Sequence, residues 1–105
     1  MSKTYIVEQN IKEWLDAHQD EIFDDILLAC EKSLVEENER VLVATIRTMY
    51  GVTLFTLSTT SDIISSLKKC EIRYVELEEY EKAHRAFECG NMWADHQRYI
   101  KKITE

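Results

Sequence analysis

Proline is absent from this 105-residue chain, and glycine occurs twice, at Gly51 and Gly90. Average usage would supply about five prolines at this length, so the common breakers are missing and long regular elements are expected. Two glycines also make a phosphate-cradling backbone nest hard to build. No glycine-rich phosphate loop, GxSxG or HExxH frame is present. Nucleophilic catalysis needs a nucleophile, a neighbouring base and an orienting acid. Serines, cysteines, histidines and aspartates occur, but in no such frame, and the chain is read as a non-enzyme.

Cysteine is scarce and dispersed. Cys30, Cys70 and Cys89 form no close pair, which argues against a disulfide framework and for reduced thiols. His84, Cys89 and His96 invite a zinc reading, but spacings of five and seven residues match no standard ligand pair, and Asp95 or Cys70 would be needed to complete a site. Cys89 then reads as a small buried hydrophobe, and no metal or cofactor is expected. Long apolar runs are lacking too: no stretch approaches the roughly 18 residues of a membrane span, and the segment from Met1 to Glu8 turns polar early. A cytoplasmic protein with no membrane contact is expected.

What the chain does have is acid, unevenly placed. Net charge is −7, and residues 8–39 hold eleven acids against Lys12 and Lys32, whereas the remainder holds nine acids against eleven bases. From Ile11 onward, Ile11, Trp14, Leu15, Ile22, Ile26 and Ala29 fall within a narrow arc at 100° per residue, the pattern of an amphipathic helix. Glu13, Asp16, Asp20, Asp24 and Glu31 project from the other side as an acidic stripe. A second apolar line, Phe23, Leu27, Cys30 and Leu34, is rotated by roughly 100° from the first. That leaves two versions open: a break near His18, Gln19 and Asp20, with Asp20 as a cap, or burial of the helix on a wider arc.

Residues 40–57 are crowded with β-branched and aromatic types around Gly51 and read as a β-hairpin. Strict alternation would put Leu42, Ala44 and Ile46 on one face, and Val41, Val43 and Thr45 on the other. A lone hairpin is marginal, so it must lie against helices or gain strands. Ser58 to Asp62 offers several capping oxygens before Ile63, and a short helix should start there. Residues 71–77 fit either a continuation of that helix or a third strand, in which Ile72 and Tyr74 alternate with Arg73 and Val75; the strand is preferred. Beyond Glu78, Tyr80, Ala83, Phe87, Gly90 and Ala94 share a helical face. Gly90 and Asn91 either separate two helices or let another element approach closely. Trp14, Phe87 and Trp93 are core candidates, with Met92 and Trp93 as an alternative exposed anchor.

The fold expected is one α+β domain over residues 1–105: an acidic N-terminal helical region, a β-hairpin with a possible third strand, and C-terminal helices packed on the small sheet. Carboxylates along a rigid helix attract basic surfaces and repel nucleic acid. Lys82, Arg85, Arg98, Lys101 and Lys102, with Trp93 and Tyr99, have the composition of a weak nucleic-acid patch, but acids are interspersed and direct nucleic-acid binding is not expected. The reading is a non-catalytic protein-binding module, a small acidic inhibitor or regulator. It would dock Glu13, Asp16, Asp20, Asp24 and Glu31 on a basic surface of a larger protein, such as one that handles nucleic acid. The bland reading of the same stripe is a solvated face. A different class stands beside it: a homodimer formed through the hairpin edge or the Tyr80 to Ala94 face.

Overall fold

Trp14, Ile22, Ile26 and Leu27 are all buried, so the two apolar lines of the N-terminal region both find partners. The computed structural model describes residues 3–36 and 40–104, the side chains of 97–104 excepted. Among the described residues the order is β1 (Lys3–Ile6), α1 (Ile11–Ala17), α2 (Gln19–Val35), β2 (Val41–Thr48), β3 (Gly51–Leu57), α3 (Thr60–Glu76) and α4 (Tyr80–Thr104). The α+β class expected is the class adopted. Glu37 and Glu39 of the acidic segment lie outside the described residues.

The sheet has the order β1-β2-β3. The β2–β3 hairpin is antiparallel and turns through Met49 and Tyr50 into Gly51, whose φ of 134° is a conformation that side-chain-bearing residues rarely adopt. The third strand comes from the N-terminus: β1 pairs parallel with β2, setting Tyr5 against Ile46 and Ile6 against Arg47. Strict alternation in β2 fails at a bulge between Leu42 and Ala44. The extra residue, Val43, resets the pleat. Val41, Val43, Ala44 and Ile46 are consequently buried, while Leu42 turns outward.

The helical region does break near residue 18. Asn10 caps α1 by accepting from the Lys12 and Glu13 amides at 2.9 and 3.4 Å. At the break His18 stacks on Trp14 with ring centroids 4.5 Å apart, and its Nδ1 lies 2.8 Å from the Trp14 carbonyl oxygen. The cap position of α2 is His18, without a side-chain cap bond, and Asp20 sits in the first turn beyond it. An acid there still favours the positive end of the helix. Downstream, Thr59 caps α3 by accepting from the Asp62 amide at 3.0 Å.

Residues 71–76 continue α3 and form no strand. Ile63, Leu67, Cys70 and Tyr74 recur at four, three and four, and this buried stripe outweighs the short alternation around Tyr74. The helix expected to be short therefore runs 17 residues. It ends in a Schellman turn: the Glu78 amide donates to the Val75 carbonyl at 3.1 Å and the Glu79 amide to the Tyr74 carbonyl at 2.8 Å. Glu78 occupies the left-handed position at φ 59°, where glycine is usual. Across the turn α4 passes through Gly90 unbroken, with the Leu67 Cβ 3.9 Å from where a Gly90 Cβ would stand.

Ala83, Ala86, Cys89 and Trp93 form the buried stripe of α4. This stripe is rotated from the expected one: Tyr80 and Phe87 face outward, Phe87 being 49% exposed, while Trp93 is buried and donates its indole N–H to the Cys30 carbonyl at 3.2 Å. Small residues let α4 approach α3 closely, and that decides the face over aromatic bulk. Glu78→Gly is expected to stabilise the fold by about 1 kcal/mol by relieving the left-handed glutamate. Chemical denaturation checks it, and a lower midpoint for the variant would contradict it.

Candidate protein-interaction surface

The acidic stripe divides in two. Glu13 and Asp16 on α1 are exposed, and among the described residues no ion pair involves either side chain. Asp20, Asp24 and Glu31 on α2 instead face the α3–α4 hairpin. Arg73 holds Asp20 through Nε at 2.8 Å and through a second nitrogen at 3.2 Å, and also reaches Glu76 at 3.1 Å. The Tyr74 hydroxyl donates to Asp24 at 2.7 Å, and the Lys82 ammonium lies 3.3 Å from the same oxygen. Arg85 forks onto both oxygens of Glu31 at 2.6 and 3.2 Å.

These pairs account for part of the uneven charge. Lys82 and Arg85, two of the five bases read in the sequence as a basic cluster, meet acids of the acidic segment within one molecule. The side chains of Arg98, Tyr99, Lys101 and Lys102 lie outside the described residues. On its sheet side α2 repeats the device: buried Asp25 accepts from the Tyr5 hydroxyl and pairs with the Lys3 ammonium at 3.2 Å.

The remaining surface of interest is the sheet's second face. Register places Ile6, Arg47 and Val52 in one cross-strand row, Thr4, Thr45 and Leu54 in the next, and Leu42 and Thr56 in a third. The opposite rows, Tyr5 with Ile46 and Ala44 with Phe55, belong to the core and its margin. Ile6 is 78% exposed, and Leu42, Val52 and Leu54 are exposed as well. Four large apolar residues, three threonines and one arginine thus form a face without a carboxylate. At its end the hairpin tip projects Met49 and Tyr50, Tyr50 being 92% exposed, above a groove of about 570 Å³ lined by Asn10, Ile11 and Thr53. Runs of apolar side chains on an open face are costly to hydrate and mark contact sites more often than they occur by chance.

His84 pairs with Glu88 on the outside of α4 at 3.0 Å, His96 meets the edge of Trp93 at 5.9 Å, and Cys89 is buried. The three potential ligands therefore point to separate places. Neither histidine lines the hairpin groove. Sequence reasoning missed the open face because β1 was not recognised and the bulge reverses which β2 residues are covered.

Burial pushes the Cys70 thiol up from 9.0 to about 12 and Cys89 to about 11, and Cys30 moves the same way. Tyr5 and Tyr74 are raised by burial and by their hydrogen bonds to Asp25 and Asp24. Unfolding exposes thiols and phenols that ionise from about pH 8.5 and 10, so above those values the native chain binds more protons than the unfolded one. Stability is accordingly full below about pH 8.5 and falls as pH rises through 11 to 12. At the acid end, the Arg73 hydrogen bond holds Asp20 below the usual carboxylate value, and its contribution is lost as pH falls. Urea midpoints constant from pH 7 to 8 and declining by pH 10, with native thiols inert to a disulfide reagent, are the expected outcome; an unchanged midpoint at pH 10 would contradict it.

Compared with protein-family models, with curated proteins and with solved structures, the chain matches none of them.

Proposed function

We propose that this chain is a non-catalytic protein-binding module, an inhibitor or regulator, whose contact surface is the open face of the sheet. One observation carries the reading: Ile6, Leu42, Val52 and Leu54 lie exposed on a face that has no acid, in a chain whose net charge is −7. The partner that fits is a protein with an apolar patch set in a basic surface. Its charge would be drawn by the long-range field of the chain, and its apolar patch would meet the carboxylate-free face at short range.

This reading keeps the basic partner expected from the sequence and reassigns the contact. Asp20, Asp24 and Glu31 already have cations within hydrogen-bonding distance, and turning them to a partner would break those pairs. Glu13 and Asp16 remain available for steering, which acts on association rate more than on the lifetime of a complex.

Two variants separate the roles. Ile6→Glu with Leu42→Glu charges the face on β1 and β2, and Glu13→Gln with Asp16→Asn neutralises the two acids of the stripe that have no ion pair among the described residues. Affinity capture from the host's lysate, followed by binding kinetics on the retained protein, is expected to show loss of the partner with the first. The second should retain it with several-fold slower association and weaker salt dependence. A partner kept equally by the face variant, or none retained by the native chain, would overturn the proposal. Loss with the acid variant alone would restore the stripe as the contact.

A further inference from the structure

Among the described elements β3 alone carries no charged side chain: Gly51, Val52, Thr53, Leu54, Phe55, Thr56 and Leu57. It is also an edge strand. Natural edges are protected by charge, proline, bulges or a covering element, because every second residue of an edge strand turns its N–H and C=O outward. None of these devices is present along β3. The bulge lies on β2, and Gly51 to Leu54 are exposed. Among the described residues no backbone hydrogen bond reaches β3 apart from its ladder with β2.

We infer that β3 pairs antiparallel with β3 of a second copy of this chain, about a two-fold axis at Leu54, and joins two sheets into one of six strands. Charge selects the second copy as occupant. Two chains of net charge −7 repel over most of their surfaces, and this strand is where they can meet without opposing like charges. The sequence of β3 is self-complementary in that register: Leu54 faces Leu54 of the copy, Val52 faces Thr56, and Thr53 faces Phe55. Aromatic and β-branched cross-strand neighbours of this kind stabilise a sheet.

Area supports the same occupant. From strand rise and spacing, one open face covers roughly 350 Å² in plan, well under the about 800 Å² each partner gives to a standard interface. Joining two sheets edge to edge doubles the continuous face. The area argument rests on the proposed contact face, but the pairing itself concerns the edge of the strand and is tested without any partner.

Sedimentation velocity from micromolar to sub-millimolar protein tests the association, and engineered cysteines test the register. The buried native thiols give little background, since their ionisation is pushed up to about 11 and above. In the proposed pairing the two Leu54 Cα atoms stand about 5.5 Å apart, inside the range a disulfide spans. Two Val52 positions are about 14 Å apart, four residues along the ladder, and cannot be bridged. The native chain is expected to shift from monomer to dimer with concentration, and Leu54→Lys to stay monomeric with an unchanged circular dichroism spectrum. Mild oxidation should link Leu54→Cys into a dimer and leave Val52→Cys unlinked. A native chain monomeric throughout, a dimer that survives Leu54→Lys, or linkage that does not distinguish position 54 from position 52 would each overturn the inference. The first of these would leave the edge to a strand of a different protein.

Discussion

The structure depends on how α2 is buried from two sides while carrying acids on its flanks. Ile22, Ile26, Leu27 and Cys30 all belong to the one core to which the sheet and the α3–α4 hairpin contribute, and Trp93 and the Cys70 thiol reach the α2 carbonyls of Cys30 and Phe23. A helix so placed has little perimeter left for solvent. Of its carboxylates Asp25 is buried, where an unpaired charge would be among the costliest defects a fold can carry, while Asp20, Asp24 and Glu31 stay partly exposed on its flank. Arg73, Tyr74, Lys82 and Arg85 from one side, and Lys3 and Tyr5 from the other, supply their partners. Exposed pairs contribute little energy singly. In sequence along α2 they set the rotation and slide of the hairpin on the helix, which apolar contacts alone specify poorly.

Two consequences bear on function. Part of the charge that stands out in the composition is internal complementarity: Asp20, Asp24 and Glu31 of the acidic segment meet the later bases Arg73, Lys82 and Arg85. The sheet, by contrast, leaves a charge-poor face exposed, with the uncharged strand β3 at its edge. Recognition through apolar rows on a rigid sheet, with steering from residual acids, would differ from docking of an acidic helix face on a basic surface. The first depends on shape and tolerates salt, while the second depends on charge and weakens in salt.

The helices were legible where local chemistry is strong: the apolar arc of α1 and α2, and the threonine cap before Ile63. The hairpin was legible from β-branched density around Gly51. Other features were hidden for stated reasons. β1 is four residues long and pairs parallel with a strand some forty residues away, so nothing local marks it. The bulge at Val43 inverts a period-two pattern through one extra residue that composition does not announce. The end of α3 was obscure because a glutamate stands where glycine would signal the stop. On α4 the wheel favoured Phe87, whereas close approach to α3 through Ala83, Ala86 and Gly90 chose the neighbouring face. For the site, periodicity found the acids but could not tell solvent from a second helix of opposite charge.

Charge reversal across α2 and α4 tests the internal-complementarity account most directly. Glu31→Arg and Arg85→Glu, made singly and together, are compared by chemical denaturation at low salt. Each single change places like charges together and is predicted to destabilise by roughly 1 kcal/mol, while the double reversal restores most of the loss. Single reversals without effect, or a double reversal as unstable as the sum of the two, would contradict the account and return the acidic stripe to the solvent.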